Sequence, residues 1–191
     1  MRKIVFVILL LASPAFAQDG QEKARMAAGC GPNEIKFDVK TDKMRHPTGQ
    51  PEQGKALVYV FGDENEDNGG FRIGGLTTRI GADGTWVGAN NYKSYFFFQV
   101  DPGDHRICTS WQSTLKGRTK KSAAMSFAAE AGKVYYFRTK TPVRPQPGEL
   151  VRLVPVDPAA AQLLIAASAF STSQVKQKPV STQKSDAENQ N

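Results

Sequence analysis

From Lys55 onward the chain alternates short apolar and β-branched runs with clusters of Gly, Pro, Asp and Asn at regular spacing, the pattern of a β-sandwich or small barrel. Lys55 to Phe61, KALVYVF, is the first run. Leu76 to Ala82 and Thr85 to Gly88 flank Asp83-Gly84, a strong two-residue hairpin signal because both central positions must take positive φ. Tyr92 to Asp101 runs into Pro102-Gly103, where proline presets φ and glycine supplies the positive φ that follows. His105 to Trp111 leaves that turn as the next strand. Ala123 to Ala129, Val134 to Lys140 and Glu149 to Val156 complete seven or eight strands. The prediction is a mainly β fold, an antiparallel β-sandwich of seven or eight strands with one C-terminal α-helix packed on it.

Asp157-Pro158 opens that helix over 157–170. Asp157 can cap the free amides, and Pro158 falls at the first helical position, where no donor is needed. Ala160, Leu163, Leu164, Ala167 and Phe170 then form an apolar stripe at helical spacing. Residues 171–191 lack aromatics and periodicity and read as a disordered tail. Residues 18–54 are also poor in pattern, with only Ile35, Phe37 and Val39 alternating. They read as an extended segment lying along a domain that spans 55–170.

The N-terminal residues change the picture by fixing a compartment. Arg2 and Lys3, an apolar run from Ile4 to Ala12 and the small-x-small step Ala15-Phe16-Ala17 make a cleaved secretory signal over 1–17. The run is about half of the roughly 20 residues a spanning helix needs. Ala27-Ala28-Gly29-Cys30 resembles the approach to a lipid-modified cysteine, but charged residues separate Cys30 from the apolar run. The expected location is the periplasm or the extracellular space. Membrane association stays open, with no transmembrane segment in the mature chain.

In an oxidising compartment the two cysteines imply one disulfide, Cys30 to Cys108, against the alternative of two separate thiols. On the alternating strand 105–111, Ile107 and Trp111 face the core and Arg106, Cys108 and Ser110 face away from it. Cys108 should therefore meet an N-terminal segment crossing the outer face or edge. The formal charge is +7, of which two units belong to Arg2 and Lys3. The remaining bias is too small to argue for nucleic acid.

GKALVYVF (Gly54 to Phe61), the Asp83-Gly84 hairpin with Val87-Gly88, VDPGDHRIC (Val100 to Cys108) and AEAGKVYYFR (Ala129 to Arg138) together resemble the uncharacterised bacterial family called domain of unknown function 2846. The resemblance covers about Gly54 to Phe170. It implies a secreted or envelope-associated β domain, and no activity comes with it. The Pro-Gly turn and histidine also resemble surface modules of the PEGA type.

Candidate chemistry is sparse. Asp63, Asn65 and Asp67 alternate as in a calcium loop, but the sixth and twelfth positions are Asn68 and Gly74, where glycine and a bidentate glutamate are needed. His46 lies in a proline-rich stretch. His105 stands beside Asp101 and Asp104, yet no serine or cysteine carries a recognisable nucleophile setting. A turn-edge histidine bonded to a carboxylate is the simpler reading. Two histidines without metal-ligand spacing argue against zinc, so no catalytic residue, metal or cofactor is expected.

Surfaces are more informative. In strand 92–101, Phe96, Phe98 and Val100 share one face and Tyr95 and Phe97 the other. Something must cover the second face: either the helix or the N-terminal segment, or else Tyr95 and Phe97, with Trp86, form an exposed binding patch. Lys116, Arg118, Lys120 and Lys121 make a basic loop suited to phosphate, lipopolysaccharide or acidic glycan. The expected function is a noncatalytic secreted or envelope-associated binding or structural module whose partner is an envelope protein or glycan. The rival is a hydrolase acting on a cell-envelope or polymeric substrate. Oligomeric state is not legible.

Overall fold

The computed structural model describes residues 30–32, 34–65, 77–112, 122–141 and 151–176. These residues form ten strands and one helix: β1 (Phe37–Asp42), β2 (Ala56–Asn65), β3 (Thr77–Ala82), β4 (Thr85–Asn90), β5 (Ser94–Val100), β6 (Gly103–Gln112), β7 (Ser122–Ala129), β8 (Val134–Thr141), β9 (Arg152–Pro155), α1 (Pro158–Ala167) and β10 (Ala169–Val175). Sheet I runs β1-β10-β5-β2-β8-β9 and sheet II runs β4-β3-β6-β7. The two pack as a sandwich, as the alternation predicts.

Two details differ from the expectation. Sheet I is mixed rather than purely antiparallel, because β2 pairs in parallel with β8 and β10 in parallel with β5. Two strands are additional. Ala169–Val175 takes Phe170 and Ser171 to Val175 out of the expected helix and tail and pairs them with β1. Periodicity misses β10 because hydrogen bonding, not apolar alternation, holds it: the hydroxyls of Ser171 and Ser94 lie 2.7 Å apart, and Ser173 accepts from the Ala89 amide at 3.0 Å. Residues 177–191, the rest of the expected tail, lie outside the described residues. So do residues 66–70 of the acidic stretch, whose first residues continue β2.

The central strand explains why KALVYVF is apolar on both faces. Ala56, Val58 and Val60 enter the core between the sheets with Ile80, Phe96, Ile107 and Phe137. Leu57, Tyr59 and Phe61 face the opposite way, under a third layer that includes α1. Every described side chain of β2 up to Phe61 is buried. Strands covered on both faces read as continuous apolar runs rather than alternating ones.

The helix starts as expected, with the Asp157 carboxylate accepting from the amides of Ala159 and Ala160 and Pro158 in the first turn. Its buried stripe is rotated by one residue from the sequence reading. Ala161 and Ile165 are buried with Leu164 half-buried, whereas Ala160 and Ala167 are exposed and Leu163 is 74% exposed. A helix reading AAAQLLIAA has too little polar contrast to fix its phase.

The N-terminal residues wrap the sandwich. Cys30 is bonded to Cys108 with the Cα atoms 5.4 Å apart, and the chain then crosses the outer face of sheet II. Arg79 donates to the Ile35 carbonyl at 2.6 Å, and the Trp86 indole donates to the Pro32 carbonyl at 2.7 Å. β1 follows at the edge of sheet I, and residues 43–54 continue onto that sheet's outer face. Cys108 therefore points outward to an N-terminal tether, as its strand parity predicts.

Gly81 makes the crossing feasible. It sits opposite Cys108 on β6, and a Cβ there would lie 2.2 Å from the Cys30 carbonyl oxygen. The obstacle is backbone, so it has no rotamer by which to give way. Gly81→Ala is expected to destabilise by about 1–3 kcal/mol, the usual range for overpacking. Denaturant titration checks this, and an unchanged midpoint would place the segment elsewhere.

Candidate functional site

The Asp83-Gly84 hairpin forms with φ of 50° and 79°, both positive as the sequence requires. This turn aims the Asp83 carboxylate at the start of β6. One oxygen accepts from the Arg106 amide at 2.8 Å, and the other lies 2.6 Å from His105 Nδ1. His105 Nε2 lies 2.7 Å from the Asp101 carbonyl oxygen in the Pro102-Gly103 turn. Asp101 in turn pairs its carboxylate with Lys55, just before β2. His105 thus ties two turns together and also packs against Phe127.

Both imidazole nitrogens face acceptors, and only the imidazolium carries two N–H donors. Burial pulls the His105 pKa down, but the Asp83 carboxylate and the Asp101 carbonyl outweigh it, and the net value lies above the usual imidazole range. A raised folded-state pKa gives stability that is complete below the unfolded value and lost as pH rises through the folded one. The melting temperature is therefore expected to fall as pH is raised from below the usual imidazole range through and beyond it. Asp83→Asn should flatten that slope. Equal slopes in the two proteins would contradict the linkage.

The aromatic face is covered, so Tyr95 is not part of an exposed patch. Tyr95 is fully buried and Phe97 half-buried. The Tyr95 hydroxyl donates to the Pro47 carbonyl at 2.9 Å, and the Gly49 amide donates to the Tyr59 hydroxyl at 2.7 Å. Gln99 donates to the Gln50 carbonyl at 2.9 Å and accepts from the Glu52 amide. Burial, with Tyr59 nearby, pushes the Tyr95 pKa up to about 12. Both the helix and the N-terminal segment do the covering. His46, on that segment, lies 3.0 Å from the Ile165 carbonyl and satisfies a last-turn oxygen of α1.

Trp86 is half-buried on the outer face of sheet II, with the Arg79 guanidinium 4.3 Å from its ring centre. It anchors the Cys30 segment. Lys116, Arg118, Lys120 and Lys121 lie outside the described residues. The structure thus separates Tyr95 and Phe97 from Trp86, placing them on outer faces of different sheets. Sequence reading missed the clasp on β1, where Gln112 binds both the Phe37 amide and carbonyl at 2.7 and 2.8 Å. Nothing in an isolated glutamine at a strand end signals such a bond.

The family model described as protein of unknown function, DUF2846, matches residues 52–148. The chain belongs to this family. The match takes in β2 through β8, including the two turns joined by His105, and stops before β9, α1 and β10. No curated protein and no solved structure matches the chain, and the resemblance to PEGA-type modules has no support. Among the described residues no helix is long and apolar enough to cross a membrane, and no cluster of His, Cys, Asp or Glu has the makings of a metal site.

Proposed function

We propose that this DUF2846 protein is a noncatalytic module of the bacterial envelope or extracellular space, acting as a structural or binding unit toward an envelope protein or glycan. The observation that carries this reading is the commitment of His105. Its two nitrogens are engaged by Asp83 and Asp101 in a bond that joins two turns, whereas a general base needs a free lone pair within reach of a substrate proton. The Cys30–Cys108 bond fits an oxidising compartment.

The test is to incubate the purified oxidised protein with peptidoglycan and envelope polysaccharide and to follow product release by mass spectrometry. No turnover is expected. Product formation that His105→Ala abolishes would replace this reading with a hydrolase. Fractionation of the native cells supplies the second arm, with an oxidised chain beginning at Gln18 expected outside the cytoplasm.

A further inference from the structure

A sandwich of two open sheets has four edge strands, and each presents unpaired N–H and C=O groups that another strand can extend. Three of the four edges here are blunted. β1 carries exposed Asp38, Lys40 and Asp42, and Gln112 clasps its first residue. β4 lies against β10, whose Ser173 hydroxyl takes the Ala89 amide. β9 is four residues long, has an exposed Arg152 and ends at Pro155.

β7 has none of these devices. Ser122–Ala129 is eight residues long and contains no charge, proline or glycine. Among the described residues its one hydrogen-bonded neighbour is β6; β9 passes nearby without pairing. Met125 and Phe127, which pack on the inter-sheet core, are only half-buried, so the core reaches the surface along this edge. Ser122, Ala124, Ser126 and Ala128 on the opposite face are exposed and too small to obstruct an approaching strand.

We propose that β7 pairs antiparallel with β7 of a second copy of this chain, about a two-fold axis at Ser126, joining two four-stranded sheets into one. A two-fold interface must be self-complementary, so residue i meets j and j meets i. The sequence AAMSFAA, Ala123 to Ala129, meets that condition. Ser126 faces itself, Met125 faces Phe127 of the second copy, Ala124 faces Ala128 and Ala123 faces Ala129. On the core side, each half-buried Met125 gains an aromatic ring and each Phe127 a thioether. Keeping the same face of both sheets outward requires the two-fold axis to stand normal to the sheet, and such an axis makes the two strands antiparallel. The pairing stands independently of the proposed function.

Sedimentation of the mature oxidised protein over on the order of 1–100 μM tests the pairing, since mass action makes the dimer concentration-dependent. Ser126→Lys sets two ammonium groups opposite each other at the axis and is expected to weaken the dimer at least tenfold. Ala124→Lys, also at an exposed position, repeats the test if that variant misfolds. Ser126→Cys is expected to cross-link with itself on mild oxidation, whereas Thr172→Cys on β10 is not. A protein that is monomeric across the range overturns the proposal, including one whose β7 amides resist exchange because this chain covers the edge, or one that binds a foreign strand there. A dimer indifferent to both lysines, without the Ser126→Cys cross-link, overturns it equally.

Discussion

Replacing both cysteines, Cys30→Ser with Cys108→Ser, is expected to lower the melting temperature of the mature protein by roughly 8–16 °C. The bond closes a loop across a sequence separation of 78 residues, and the chain-entropy model gives about 4–5 kcal/mol for a loop of that size as an upper figure. A stability change of about 1 kcal/mol moves the midpoint by roughly 2–4 °C in a chain of this length, and taking about 4 kcal/mol gives the stated range. The effect extends beyond the unfolded state. Cys108 is 1% exposed and lies beneath the crossing segment, so freeing Cys30 removes its only covalent hold on sheet II. Limited proteolysis should then cut within residues 30–36 much earlier than in the oxidised protein. A shift under about 2 °C with unchanged proteolysis would mean that hydrogen bonds alone hold the segment.

Tyr95→Ala is expected to cost about 3–5 kcal/mol, the range for truncating a large buried aromatic. The ring of Tyr95 contacts those of Tyr59, Phe61 and Phe170, within centroid distances of 5.5 to 6.2 Å. Tyr95→Phe keeps these contacts and loses only the bond to the Pro47 carbonyl, so about 1 kcal/mol is expected. Chemical denaturation of the three proteins separates packing from tethering. An exposed recognition residue would behave differently, since surface substitutions usually stay within about 0.5 kcal/mol. Equal and near-zero effects for both variants would restore Tyr95 to a binding surface.

Most strands were legible because each half of the sandwich announces itself locally. Asp83-Gly84 and Pro102-Gly103 mark their turns through backbone conformations that few other pairs adopt, and the apolar runs between them have nowhere to go but a core. The parity of β6 likewise placed Cys108 on the outside before any partner was visible. What stayed hidden depends on contacts distant in sequence. Residues 43–54 have no periodicity because they form no regular element; they are held by Tyr59, Tyr95 and Gln99 reaching their backbone. The clue was the choice of Tyr over Phe at two positions within apolar runs, since a buried hydroxyl needs a partner. β10 was hidden for a related reason: its serines are polar in composition yet spent on hydrogen bonds at the sheet margin. The phase of α1 could not be read, because a helix rich in alanine and leucine is apolar on every side.

The candidate site was less legible than the fold. His105 reads as a turn-edge histidine beside Asp101 and Asp104, but the carboxylate it bonds is that of Asp83, brought to it by the hairpin across 22 residues of sequence. A shared patch of Trp86, Tyr95 and Phe97 stays open in the sequence as the alternative to a covered face, because a sequence does not say which sheet each strand joins.

Hydrogen exchange over β1 and β10 in the oxidised mature protein bears most directly on whether the N-terminal segment is an integral strand and strap of the sandwich. Phe37 pairs with Val175 and Asp42 with Phe170 in an uninterrupted antiparallel ladder. The hydrogen-bonded amides of that ladder are expected to exchange slowly and to lose protection when the Cys30–Cys108 bond is reduced. Rapid exchange of those amides in the oxidised protein, with β2 and β5 still protected, would show that the segment lies off the sandwich and does not cover it.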